Sequence, residues 1–359
     1  MKHITFIFLF ITTTIFSQEK RNIIVITMDG MRWQEVFGGV DSVLASDPKF
    51  NQDDSAYIFN KYWAPTAEER RKKLLPFLWS IVEENGQIYG NRAHGNFVNI
   101  ANPYRLSFPG YSEMLTGFVD LSINSNSYPD NENENVFAFL NKQRGLKGKV
   151  AAFGAWFAFD RILNEKKSGF PVVNAFDKIG GDKPNEREKV LNSLLNDSSR
   201  PWGEEECLDV FTHYASLEWL RSRKPHVMYI AYGETDEWAH SGFYRWYLDA
   251  ALQTDKFIRD IWNYVQSDSR YRNKTTLIIT TDHGRGDNNK ADWVRHGKDV
   301  EGADETWFAV IGPFTKAKGE VKEKMQIHTQ QFAQTIAKLM NQDFQTSHPV
   351  APYIEPVFE

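Results

Sequence analysis

The chain has 359 residues, 41% of them hydrophobic and 14% aromatic, enough to bury a large core in one big domain or two ordinary ones. Its 42 basic and 47 acidic residues leave a formal net charge of −5, with neither a basic stripe for duplex nucleic acid nor an acidic tail, so the expected partner is a small molecule. The single Cys207 excludes an intramolecular disulfide and a paired-cysteine metal site, and it reads as a helix-packing residue.

At the start of the chain, Lys2 and His3 precede an apolar run over 4–16 that is too short to span a bilayer, followed by Ser17-Gln18-Glu19-Lys20. This reads as a signal peptide over 1–17. It implies a secreted or periplasmic protein whose mature chain starts near 18 and has no stable membrane span. Apolar runs rich in β-branched residues then predict strands over 23–27, 150–153, 227–231, 277–280 and 308–311. Amphipathic stretches predict helices over 75–84, around 112–116, and over 136–143, 186–195, 208–221, 244–266 and 330–340. Strands alternating with helices imply an α/β fold: a doubly wound, mostly parallel central sheet with helices on both faces. There is no internal repeat. Polar segments over 45–73, 123–135 and 169–201 read as loop-like insertions over the C-terminal ends of the strands.

In such sheets the ligand crevice lies beyond the carboxyl ends of the strands. Asp29 stands just past the first apolar run, in "VITMDGMRW". The run from 227 ends in "YIAYGETDEWAHSG", with Asp236 and His240 at i and i+4. The run from 277 ends in Asp282-His283, with His296 beyond. Ser107, in "NPYRLSFPGYSEMLTG", precedes Phe108-Pro109-Gly110 and can sit at a helix start with its hydroxyl facing the same crevice. Singly each has an ordinary reading: an Asp-Gly turn, a solvated helix face, a cap. Together, three carboxylates, three imidazoles and one hydroxyl make the donor set of two divalent cations. With Ser107 as its alkoxide, the anionic groups sum to roughly −4, which balances two dications.

"MDGMRW", "SFPGYSEMLTG", "DEWAH", "TDHG" and "RHG" occur in the order found in the alkaline phosphatase superfamily. The chain resembles most its type I phosphodiesterase/nucleotide pyrophosphatase branch and related secreted bacterial phosphatases, from Asn22 to about Met340. The resemblance implies a single alkaline-phosphatase-like catalytic domain over 18–359. It implies one metal held by Asp236, His240 and His296, and a second held by Asp29, Asp282, His283 and the hydroxyl of Ser107. Zn suits these N/O donors best. Ser107 would be the nucleophile of a phosphoric ester hydrolase working through a phosphoserine, and Asn126 would hold a non-bridging phosphoryl oxygen.

Two departures stand out. Ser107 and Gly110 replace the Thr and Asn of the diesterase branch's T-F-P-N. Tyr111 stands where the sulfatase branch, whose Cys or Ser in C/S-x-P-x-R becomes formylglycine, requires Arg. A sulfatase and a catalytically inactive, metal-stabilised surface binding protein remain the alternatives.

Overall fold

The computed structural model describes residues 21–359; the signal-peptide reading lies outside the described residues. Eleven strands are described: β1 (Asn22–Met28), β2 (Gly86–Tyr89), β3 (Asn96–Asn99), β4 (Val150–Gly154), β5 (Val172–Asn174), β6 (Val227–Tyr232), β7 (Thr275–Thr280), β8 (Glu305–Thr306), β9 (Phe308–Ile311), β10 (Gly319–Glu320) and β11 (Met325–His328). Eight of them form one sheet in the order β10-β2-β9-β7-β1-β6-β4-β5, and β11-β3-β8 form a second. In the large sheet only β9 runs against its neighbours, β2 and β7.

β1 sits centrally, and every one of its residues is buried. Its side chains alternate between two cores. Ile24, Ile26 and Met28 join the helices Asp209–Arg223 and Tyr244–Ser267 on one face, while Ile23 and Val25 join the side of Ser107–Thr116, Val136–Lys142 and Phe332–Leu339. A strand buried on both faces is mostly apolar, which is why Ile23, Ile24, Val25 and Ile26 read as one run, with Asn22 and Thr27 as its buried polar members. Each such Ile stabilises the fold by about 1.5–3 kcal/mol. The 24-residue helix Tyr244–Ser267 buries Tyr244, Tyr247, Leu248, Ala251, Ile258, Ile261 and Val265 along one stripe.

Two predicted features change. The segment 45–73 is not loop-like: it carries the helices Ser42–Ser46, Pro48–Asn51, Ser55–Tyr62 and Ala67–Leu74. Asp41 and Asp47 cap the first two, and Thr66 with Glu69 forms a capping box on the last, so local caps stabilise helices whose composition looks solvated. Segment 169–201 holds β5 as well as the helix Glu186–Asn196. Residues 123–135 contain no helix or strand. Cys207 is buried beside Ala155 and Leu195, just ahead of the helix Asp209–Arg223.

Candidate active site

Parallel register assembles the site. Thr27 is level with Ala231 of β6 and Thr280 of β7, so two residues further on Asp29 is level with Gly233 and Asp282. The Asp29 N–H donates to Tyr232 O at 2.9 Å, and the Gly30 N–H to Asp282 Oδ1 at 3.2 Å. Gly30 has φ +59°, and a Cβ there would collide with the Asp236 carboxylate and the Arg285 guanidinium, so the turn requires glycine. From β6 the chain enters the helix Glu234–His240, which places Asp236 and His240 on one face. Ser107 is the first residue of the helix Ser107–Thr116. Gly110 lets that helix lie against the backbone of Asp282, since a Cβ there would be 2.6 Å from Asp282 O.

All seven predicted donors converge. In one group Asp236 Oδ2 and His296 Nε2 each lie 3.0 Å from His240 Nε2. In the other, His283 Nε2 lies 3.2 Å from Ser107 Oγ, 3.3 Å from Asp29 Oδ1 and 3.5 Å from Asp282 Oδ2. The groups adjoin: Asp236 Oδ1 is 3.8 Å from His283 Nε2, and the His283 and His296 rings stack at 3.8 Å. His283 Nδ1 donates to Gly284 O at 2.9 Å and His296 Nδ1 to Arg105 O at 3.0 Å. A carbonyl can only accept, so both rings carry a proton on Nδ1 and turn Nε2 toward the centre.

The electrostatics are those of crowded acids. Burial, with Asp282 and Asp236 nearby, pushes Asp29 well above the usual carboxylate range. Burial and Asp236 push Asp282 up to about 7. Burial would raise Asp236 too, but Arg285, His240 and His296 hold it well below its ordinary value. Burial and His283 hold His296 well below the usual imidazole value. Asp29 Oδ1 and Asp282 Oδ2 are buried without a hydrogen-bond partner, a costly condition that a cation relieves. Asp236, His240 and His296 form one set with ligand atoms within 4.8 Å of one another, and Asp29, Asp236 and His283 form another. The residues therefore fit divalent metals, with N/O donors suited to a transition metal such as Zn.

Asn126 accepts from the Phe108 N–H at 3.0 Å, which anchors the 123–135 segment beside Ser107. Sequence reasoning missed three supports. The Tyr111 hydroxyl donates to Asp29 Oδ2 at 2.8 Å. Arg285 binds Asp236. Asp209 and Glu234 cap one another's helices, Asp209 Oδ1 accepting from the Gly233 N–H at 2.7 Å and Glu234 Oε1 from the Asp209 N–H at 2.8 Å. A tyrosine one helical turn after Ser107 was the available signal for the first. The other two depend on tertiary contacts.

The fold defines the class first: the chain has the mixed α/β fold of solved structures in the alkaline phosphatase superfamily. More narrowly, the family model described as Sulfatase matches residues 96–342, and the chain belongs to that family. No curated protein matches it by sequence. Among solved structures it is similar to the alkaline phosphatase PafA, at 10% identity over 96% of this chain and 100% of that one, with a TM-score of 0.59. It is similar also to BT1596, a 2-O GAG sulfatase, at 12% identity over 95% and 74%, TM-score 0.57. Murine ectonucleotide pyrophosphatase/phosphodiesterase 5 shares 11% identity over 92% and 97%, TM-score 0.55. At these identities the likeness is one of fold. Among the described residues no helix is long and apolar enough to cross a membrane.

Proposed function

We propose that the protein is a two-metal hydrolase of phosphoric esters with Ser107 as its nucleophile. The observation that carries this reading is the Ser107 hydroxyl, at a helix start, 3.2 Å from His283 Nε2 and amid the Asp/His cluster. Asp236, His240 and His296 would hold one dication; Asp29, Asp282, His283 and the Ser107 oxygen would hold the other. Two such ions, when bound, lower the hydroxyl's pKa and neutralise charge on the attacking and leaving oxygens.

The chain's own residues do the rest. Ser107 Oγ gives up its proton to water and forms a bond to phosphorus as the ester P–O bond opposite breaks. The leaving alkoxide takes a proton from water, and a second water cleaves the phosphoserine to regenerate the hydroxyl. Asn126, its Oδ1 fixed by the Phe108 N–H, can donate from its amide nitrogen to a non-bridging oxygen. The domain reading is one catalytic unit over 18–359, and the reading of 1–17 as a signal peptide supports export.

Support for phosphate over sulfate comes from Tyr111. It occupies the position at which the sulfatase pattern requires Arg, and its hydroxyl is committed to Asp29. The family model and the fold of BT1596 favour sulfate as the second reading. Rates on nitrophenyl phosphate, bis-nitrophenyl phosphate and nitrophenyl sulfate, with intact-mass analysis of Ser107, decide between them. Faster sulfate turnover or a formylglycine at 107 would overturn the phosphate reading. Metal binding without turnover of any ester would leave a binding protein.

A further inference from the structure

We infer that Arg285 is the positioning residue that assembles the first metal group, Asp236, His240 and His296, before any metal arrives. The inference rests on assigning these three residues to one metal and is independent of which ester is cleaved.

Arg285 is fully buried, and its guanidinium binds three things. Nη1 donates to Asp236 Oδ1, Nε to Trp293 O at 2.8 Å and Nη2 to Val294 O at 2.7 Å. These partners lie on different segments. Asp236 is on the helix Glu234–His240, and Trp293 and Val294 end the 3-10 turn Lys290–Val294, two residues before His296. Arg285 itself follows Asp282-His283-Gly284. One planar fork therefore fixes the distance between the segment bearing Asp236 and His240 and the one bearing His296. The chain between β7 and β8 has no strand of its own to do this.

The geometry also divides the Asp236 carboxylate. Oδ1 is taken by Arg285, and Oδ2 is left facing His240 Nε2 at 3.0 Å. Burying a guanidinium is costly unless its donors are met. Here they meet one carboxylate and two carbonyls in a planar fork, a pattern a single ammonium cannot reproduce. Gly30 supplies an independent observation, since a side chain at that position would collide with both the Asp236 carboxylate and the Arg285 guanidinium.

The test has two arms. Hydrogen exchange of metal-free wild-type protein should show residues 286–295 nearly as protected as in zinc-loaded protein, because the guanidinium rather than the metal holds them. Exchange at unfolded-chain rates until zinc is added would overturn the inference, and this arm needs no variant to fold. In the second arm Arg285→Lys and Arg285→Gln are titrated with zinc against a chromophoric chelator. Affinity at one of two sites should fall about 10–100-fold, the range for residues that orient ligands, with the other site close to wild type. A purely structural arginine would lower the metal-free melting temperature but leave the zinc-induced rise unchanged. Variants that bind two zinc ions as wild type does would overturn this inference alone. Wild-type protein that binds no zinc would overturn the metal reading as well.

Discussion

The Ser107 hydroxyl and His283 Nε2 face each other at 3.2 Å across the start of a helix and the end of β7, and neither residue holds this place by local structure alone. The Ser107–Thr116 helix reaches Asp282-His283 because Gly110 has no side chain to hold it off. Ser107→Ala should keep the fold and most of the metal affinity, since the carboxylates and imidazoles remain. Turnover should fall by at least about 10³-fold, as for other covalent nucleophiles. Steady-state rates with metal content measured on the same sample check this, and an alanine variant as fast as wild type would remove Ser107 from the mechanism.

Tyr111 is the next position to probe. Its buried hydroxyl satisfies Asp29 Oδ2 and leaves Oδ1 for the centre. Tyr111→Phe keeps the ring, which packs edge-on against Phe159 and Tyr229. The variant should fold, yet bind the second zinc about 10–100-fold more weakly, with activity recovering at excess zinc. Equal zinc affinity in the two proteins would assign Tyr111 to packing alone.

Gly110 is a departure from the diesterase pattern that the structure accounts for. A Cβ at 110 would lie 2.6 Å from Asp282 O, and backbone cannot yield as a flexible side chain can. Gly110→Ala should cost about 1–3 kcal/mol in stability and lower kcat by shifting Ser107 from His283. Gly110→Asn should be worse on both counts. Melting curves and kcat for the pair test this; an alanine variant with wild-type values would show that the helix relaxes freely.

Four of the candidate site residues were legible in the sequence because they follow apolar runs. β1, β6 and β7 are buried on both faces and so each carries a continuous apolar stretch, and Asp29, Asp236 and Asp282-His283 stand just beyond them. β2, β3, β5, β8, β10 and β11 were not legible, being only two to four residues long, with polar residues such as Gln87, Asn96 and Glu320 at paired positions. The helices between 42 and 74 were hidden for a related reason. Capping by Asp41, Asp47 and Thr66 stabilises them, whereas "AEERRKKL" shows no apolar stripe. Tyr111 and Arg285 act through partners 82 and 49 residues away in sequence. Such contacts follow from strand register and helix packing and carry no local pattern.

Asp255 gives a pH prediction away from the metal centre. It lies on the buried stripe of the helix Tyr244–Ser267, and its carboxylate accepts from the Phe77 N–H at 2.7 Å and the Leu78 N–H at 3.0 Å. Burial pushes it from its ordinary 3.8 up to about 7, against the opposing pull of those two N–H groups. A carboxyl whose folded pKa exceeds its unfolded one binds more protons folded than unfolded between the two values. Its stabilising contribution is therefore full below about 4 and is lost as pH rises to about 7, by at most about 4 kcal/mol. Asp255→Asn removes this titration but keeps one acceptor. The melting temperature of wild type minus that of Asp255→Asn should fall as pH goes from 4.5 to 7.5 and level off above. Taking the difference cancels the titration of the Asp/His cluster, which both proteins share. A difference that is flat across this range, or that rises with pH, would mean that Asp255 is already ionised in the folded protein at pH 4.5.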